Sequence, residues 1–241
     1  MNSAKPLSLF YWLITIMHLV LEGMLMAGMQ QALLPAMVTK ALLMPALIWY
    51  YYKASGGSLG AVQKLVLLGF IFSWSGDVNL MLPRLDSLKP YADLFFLAGL
   101  VSFLITHVLY MLAFRKDLAN NSNASLLKNK PWLALPVLVG YAGLLVVLLP
   151  AIQATQADML VPVIVYASVI TAMVIFAINR YGKVSNASYY AVLAGALLFM
   201  FSDSNIAIDK FHTPFEMSRL VIMITYLSSQ YLFAWGTRKG A

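Results

Sequence analysis

Eight apolar runs, each about as long as a bilayer is thick, constrain this chain more than any other feature. A spanning helix needs roughly 20 mostly apolar residues. Such runs fall at 8–28, 35–53, 61–82, 91–114, 132–153, 159–180, 188–208 and 216–236. Between them the links are short, apart from the polar stretch "RKDLANNSNASLLKNK" at 115–130. No polar segment is long enough for a second, aqueous domain. Only 10% of the 241 residues are charged and 61% are hydrophobic, whereas soluble domains carry about a quarter charged residues. The expected fold is all-α and integral to the membrane: one transmembrane domain, 1–241, built as an eight-helix bundle. Cysteine is absent, which removes disulfides, thiolate nucleophiles and cysteine metal ligands.

The basic residues set the orientation, because cytoplasmic loops collect Lys and Arg. One side gathers Lys5, Lys53, Lys64, Arg115, Lys116, Lys128, Lys130, Arg180, Lys183, Arg238 and Lys239; the other has Arg84, Lys89, Lys210 and Arg219. Eleven against four predicts that both termini face the cytoplasm. Aromatic residues at 11–12, 49–52, 132 and 235 fall at the same ends, as interfacial belts do. The net charge of +7 forms no continuous patch, so nucleic acid is not an expected partner; anionic lipid is. A removed signal peptide is not expected either, since His18 and Glu22 interrupt the first run and no small-x-small site follows it. The short loops suggest a bacterial inner membrane. Oligomeric state is left open.

Runs three and seven line up. Gly69 precedes Asp77 by eight residues, as Gly195 precedes Asp203, and Asn79 and Asn205 each follow by two. The next runs carry "LITH" (104–107) and "MITY" (223–226), and runs two and six open on Pro35 and Pro162, soon followed by Lys40 and Tyr166. This spacing predicts four helices repeated in parallel, a known membrane architecture. It sets Asp77, Asp203, Lys40, Tyr166 and Glu22 at one depth, toward the non-cytoplasmic face.

An Asp at the centre of a spanning helix costs roughly 2.5–3.5 kcal/mol on insertion scales, so two of them must face protein, a partner or water. Burial raises a carboxyl pKa and a nearby cation lowers it; a pair in unlike surroundings becomes an acid and a base. Small polar stripes, Gly69-Ser73-Gly76-Asp77 on run three and Gly99-Phe103-Thr106-Tyr110 on run four, are expected to line a cavity, although such residues also make ordinary helix contacts in lipid. Residues 225–226 and 229–230 extend the polar lining on run eight. His107 is a candidate binding residue whose plain alternative is a hydrogen-bonded core histidine. His18 and Glu22, four apart, are expected to pair with each other. Three scattered histidines without short ligand spacing make no metal site, and no cofactor is expected. Neither a G-x-S-x-G elbow nor a phosphate-binding glycine loop occurs.

Taken in order, "TKALLMP" around Lys40, "FSWSGDVNL" around Asp77, "THVLY" at 106–110, Tyr166, "GALLFMFSDSNIAIDKF" at 195–211 and "RLVIMITYLSSQ" at 219–230 resemble the YhhN-type membrane proteins, which include the eukaryotic transmembrane lysoplasmalogenases. Run one and the 115–130 loop carry no mark of the resemblance. It implies hydrolysis of the vinyl ether of a lysoplasmalogen, a lysophospholipid, to a fatty aldehyde and a glycerophospho-head group. Asp77 and Asp203 are then the expected catalytic pair, one protonating the alkene and one stabilising the oxocarbenium ion, as paired carboxylates do in glycosidases. Lys40 and Arg219 are expected at the phosphate. Tyr166, Thr225, Tyr226 and Gln230 are expected to hold water or orient a carboxylate, and Phe72, Phe199 and Met223 to flank the alkenyl chain. The competing reading is a proton-coupled transporter of small molecules or lipids using the same aspartates; a receptor-like scaffold is a third.

Overall fold

A computed structural model of the chain describes residues 4–119 and 126–241. Among these, eight helices exceed 18 residues: α1 (Lys5–Met26), α2 (Leu33–Ala54), α3 (Ala61–Met81), α4 (Ala92–Ala119), α5 (Leu135–Thr155), α6 (Leu160–Ile178), α7 (Asn186–Phe211) and α8 (Ser218–Thr237). No strand occurs among the described residues. Seven of the helices, α1 to α7, are long and apolar enough to cross a bilayer. The chain is a multi-pass integral membrane protein. The eighth expected span is a helix of 20 residues, α8, but it is not among those seven, because Ser, Thr, Tyr and Gln dilute its apolar content. The expected polar connector 115–130 is shorter than read: Arg115–Ala119 extends α4, and Leu126–Asn129 forms a single helical turn. Its centre, 120–125, lies outside the described residues.

A lipid solvent favours apolar side chains outward and polar ones inside, and α1 follows that rule. On α1, Leu9, Leu13, Ile16 and Val20 form an exposed stripe, while Tyr11, Ile14, Thr15, His18, Glu22 and Leu25 form the buried one. The turn after α2 is made by Gly56 and Gly57, both at positive φ (74° and 71°), where a β-carbon would be strained.

The chain divides into two compact units. One holds the residues up to Tyr110 with Arg238–Gly240; the other holds Met111–Thr237. In the first, α1 packs on α2 and α2 on α3. The stripes expected to line a cavity here instead close α3 onto α4. A β-carbon at Gly76 would stand 2.6 Å from the Phe103 ring, and one at Gly69 would overlap the Tyr110 ring. Between them Ser73 Oγ donates to Thr106 Oγ1 at 3.2 Å, and Thr106 donates to the Gly69 carbonyl at 3.1 Å. Missing side chains let the backbones approach, which is the usual use of glycine and serine in membrane helices.

In the second unit α5 packs on α6 and α7, α6 on α7, and α7 on α8. Gly195 and Gly236 again permit the approach: a β-carbon at either would stand 3.1–3.2 Å from a backbone oxygen of the facing helix. Ser185 caps α7, accepting from the Ser188 N–H at 3.1 Å.

Candidate functional site

In the first unit, the buried stripe of α1 delivers His18 and Glu22 toward α2 and the end of α3. Arg84, in the short 3-10 turn Leu82–Arg84 that follows α3, grips Glu22 with both ends of its guanidinium: Nη1 donates to Oε1 at 2.5 Å and Nη2 to Oε2 at 3.2 Å. Such forked pairs are the strong form of the ion pair. His18 stands nearby, Nε2 3.9 Å from Glu22 Oε1 and Nδ1 3.0 Å from Thr39 Oγ1. The next residue along α2 is Lys40, whose ammonium lies 4.0 Å from Asp77 Oδ1. Both members of that pair are buried.

The Lys40 turn of α2 is held by an unusual hydrogen bond. Pro45 sits inside α2 and has no N–H, so the carbonyl four residues earlier loses its helical partner. That carbonyl belongs to Ala41, and the indole Nε1–H of Trp74 on α3 donates to it at 2.9 Å. The bond ties α2 to α3 one residue beyond Lys40 and three before Asp77.

In the second unit, Tyr166 on α6 donates its hydroxyl proton to Asp203 Oδ2 on α7 in a very short hydrogen bond. Asp203 is buried, 8% exposed. Ser202 beside it donates to the Ile222 carbonyl of α8 at 3.0 Å, fixing α7 against α8. Of the expected α8 residues, Tyr226 packs at a tilt against Phe199 at 5.4 Å between centroids, and Gln230 is fully buried. Thr225 spends its hydroxyl on the Val221 and Ile222 carbonyls of its own helix. Arg219 is exposed at the start of α8, and His107 is fully buried on α4. Among the described residues, no three His, Asp or Glu side chains stand close enough to hold a metal ion.

The two sets place their aspartate partners at nearby positions, Lys40 five residues after Pro35 and Tyr166 four after Pro162. Lys40 and Tyr166 follow Pro35 and Pro162, each the third residue of its helix, and each meets the aspartate of the following helix.

Residues 35–237 match the model of the YhhN family. The chain belongs to the YhhN family. It is 30% identical over 173 residues to human lysoplasmalogenase TMEM86B, covering 72% of this chain and 63% of the relative. The pig lysoplasmalogenase TMEM86B is 29% identical over 184 residues, 75% of this chain and 65% of the relative. The bovine lysoplasmalogenase TMEM86A is 32% identical over 174 residues, 70% and 63%. The matches thus span less than two-thirds of these relatives' own length. No solved structure matches the chain. In this YhhN-family chain the family match takes in Lys40, Asp77, Arg84, Tyr166 and Asp203, whereas α1, with His18 and Glu22, lies ahead of it.

Sequence reading missed the Glu22–Arg84 pair. It assigned Glu22 to His18 and counted Arg84 only as a loop cation. The two residues are 62 positions apart, and the one available signal was that a carboxylate in an apolar run requires a partner.

Proposed function

We propose that this protein hydrolyses the vinyl ether bond of a lysoplasmalogen, with Asp77 and Asp203 as its catalytic residues. The carrying observation is the contrast between their partners: Asp77 faces the Lys40 ammonium, and Asp203 a neutral phenol. The Lys40 ammonium offsets a negative charge on Asp77, so Asp77 is assigned the carboxylate role and Asp203 that of proton donor. The names of the relatives support the same substrate class.

The steps balance without further reagents. Asp203 gives its proton to the alkene carbon remote from the ether oxygen, leaving an oxocarbenium ion beside the Asp77 carboxylate. Water adds to the cationic carbon and Asp77 takes the released proton. The hemiacetal then collapses to fatty aldehyde and the glycerol hydroxyl, and Asp77 returns a proton to Asp203 through water. Lys40 offsets the charge of Asp77, and with Arg219 supplies positive charge for the phosphate. Tyr166 fixes the Asp203 rotamer, Thr225, Tyr226 and Gln230 are assigned to holding water or orienting a carboxylate, and His107 is a further candidate binding residue. Incubating the purified protein in detergent with a lysoplasmalogen and measuring aldehyde tests the reading; absence of aldehyde discards it.

A transporter would use the same aspartates through discontinuous helices. Here Pro45 and Pro150 sit inside continuous helices, which favours the hydrolase.

The topology that goes with this function is one transmembrane domain of eight crossings, α8 included, in two parallel sets of four, with both termini in the cytoplasm of a bacterial cell. Setting aside Arg180 and Arg84, which are committed to carboxylates, leaves ten cations on one side (11 − 1) and three on the other (4 − 1), so the orientation is unchanged. Because the chain has no cysteine, single cysteines at Ser58 and Ser87 are expected to be labelled by an impermeant maleimide from opposite sides, Ser87 from outside. Labelling at position 58 in intact cells reverses the orientation.

A further inference from the structure

Tryptophan in a membrane protein gathers at the interfaces, where its ring meets hydrocarbon and its N–H meets water. Trp12, Trp49, Trp132 and Trp235 fall near the ends of their apolar runs, but Trp74 is the fourteenth residue of the 21-residue α3. Its side chain is 39% exposed, and hydrocarbon offers an N–H no acceptor. The acceptor comes from α2, and only because Pro45 stands there. In an uninterrupted helix the Ala41 carbonyl would be spent on the N–H of residue 45; proline has none, and its ring pushes that carbonyl out of line. The bond from Trp74 to Ala41 thus needs two residues that neither helix requires for its own formation: a proline inside one span and a tryptophan midway along the next.

Such a bond could do no more than satisfy an orphaned carbonyl. Its placement does more. Ala41 is the chain neighbour of Lys40, and Trp74 and Asp77, three residues apart, lie on one face of α3. Lys40 Nζ stands 4.0 Å from Asp77 Oδ1, a separation longer than a hydrogen bond, and lysine is a point charge on a flexible four-carbon stem. A pair of that kind attracts but does not set the register of the helices that carry it. Elsewhere along the same seam Tyr51 meets Phe70 edge to face, 5.3 Å between ring centroids. That contact is ten residues from Ala41, about 15 Å along α2, and apolar contact tolerates sliding. A hydrogen bond to one particular carbonyl has one register, and the Trp74 bond supplies it one residue from Lys40.

We propose that Trp74 is a positioning residue: its indole N–H, bonded to the carbonyl that Pro45 frees, fixes α2 against α3 in the register that keeps the Lys40 ammonium beside the Asp77 carboxylate. The consequence for turnover rests on the reading of Asp77 as a catalytic group. The placement of Lys40 does not, and it can be measured without substrate.

The test is a cycle of thermal midpoints, measured on the full-length protein in detergent. Lys40→Met, Asp77→Asn and the two changes together are each made with Trp74 intact and with Trp74→Phe, which keeps an aromatic ring and loses the N–H. With Trp74 intact, the paired change is expected to lower the midpoint by about 4 °C less than the sum of the single changes, the coupling of two groups in contact. In Trp74→Phe that difference is expected to shrink to less than about 2 °C. A difference of the same size in both backgrounds overturns the proposal, whatever Trp74→Phe does to the midpoint itself. Adding Pro45→Ala to Trp74→Phe returns an N–H to the Ala41 carbonyl from within α2. The midpoint is then expected to recover while the Lys40–Asp77 coupling does not; recovery of both means that the indole only satisfied the carbonyl, and overturns the proposal. Should Trp74→Phe fail to fold, this double variant takes its place in the cycle. Aldehyde release is read alongside and is expected to be about 10- to 100-fold lower in Trp74→Phe, the cost of a slightly misplaced group, and not to be restored by Pro45→Ala. Coupling lost in a protein that releases no aldehyde keeps the positioning role and discards the hydrolase; aldehyde release with undiminished coupling does the reverse.

Discussion

Asp77→Asn and Asp203→Asn will each lower aldehyde release by about 10²–10⁴-fold, the usual contribution of a positioned proton donor or acceptor, while the protein stays folded. Asparagine preserves the shape of both sites. At 203 its amide oxygen still accepts from Tyr166, so the α6–α7 contact survives. At 77 the charge beside Lys40 is lost, and a small fall in thermal midpoint accompanies the loss of rate. The two failures differ in kind. Asp203→Asn leaves no proton acidic enough for carbon, so oxocarbenium formation stops. Asp77→Asn leaves the cation beside an ammonium with no carboxylate to oppose it, which raises the same barrier electrostatically. Because both act on one transition state, the double variant is expected to be scarcely worse than either single one, as for other residues that work as a unit. Full activity in either single variant removes that residue from the scheme. Multiplicative losses in the double variant would mean that the carboxylates serve separate steps.

Much of this could be read in the residues because the membrane simplifies the code. A run of about 20 apolar residues is a helix in hydrocarbon, and seven of the eight runs are found as helices able to cross a bilayer. Lys40, Asp77, Tyr166 and Asp203 stood out as ionisable or polar groups in apolar surroundings, and each does meet a partner. What stayed hidden was pairing across helices, which depends on rotation and relative depth rather than on hydropathy. Glu22 with Arg84 and Asp117 with Arg180 join positions more than 60 residues apart. The stripes of Gly69 and Gly76 looked like a cavity wall because small residues serve both purposes; only the opposing Tyr110 and Phe103 rings decide for contact. Pro45 announced a missing hydrogen bond, but nothing in the sequence named Trp74 as the replacement donor.

Arg180 is expected to carry a large stability effect, at the end of the second unit opposite the Tyr166–Asp203 pair. It lies just beyond α6 and is 1% exposed, although it reads in the sequence as one more interfacial cation. Its Nε donates to Asp117 Oδ2 at 2.8 Å, and its terminal nitrogens donate to the Ser188 carbonyl at 3.3 Å and the Ser188 hydroxyl at 3.0 Å. The Ser188 hydroxyl in turn donates to the Gly236 carbonyl at 2.5 Å, and the guanidinium carbon stacks 5.4 Å from the Phe114 ring centroid. One side chain thus ties together the ends of α4, α6 and α8 and the start of α7. Asp117→Ala leaves this cation buried without its counter-charge, a change that costs about 3–5 kcal/mol in such pairs. At about 2–4 °C per kcal/mol for a chain of this size, the thermal midpoint in detergent should fall by roughly 10 °C. Arg180→Met should fall less than Asp117→Ala, because an apolar chain replaces the cation and the carboxylate left behind is the more exposed partner. The pair Arg180→Met with Asp117→Leu should recover much of the loss, since a buried ion pair replaced by packed apolar side chains is often neutral. Aldehyde release per folded molecule should be unchanged in all three. Single variants as stable as the unmodified protein would mean that Arg180 is accommodated by the interface rather than clamping the helices, and a double variant weaker than both singles would mean that Ser188 and Phe114, not Asp117, carry the contact.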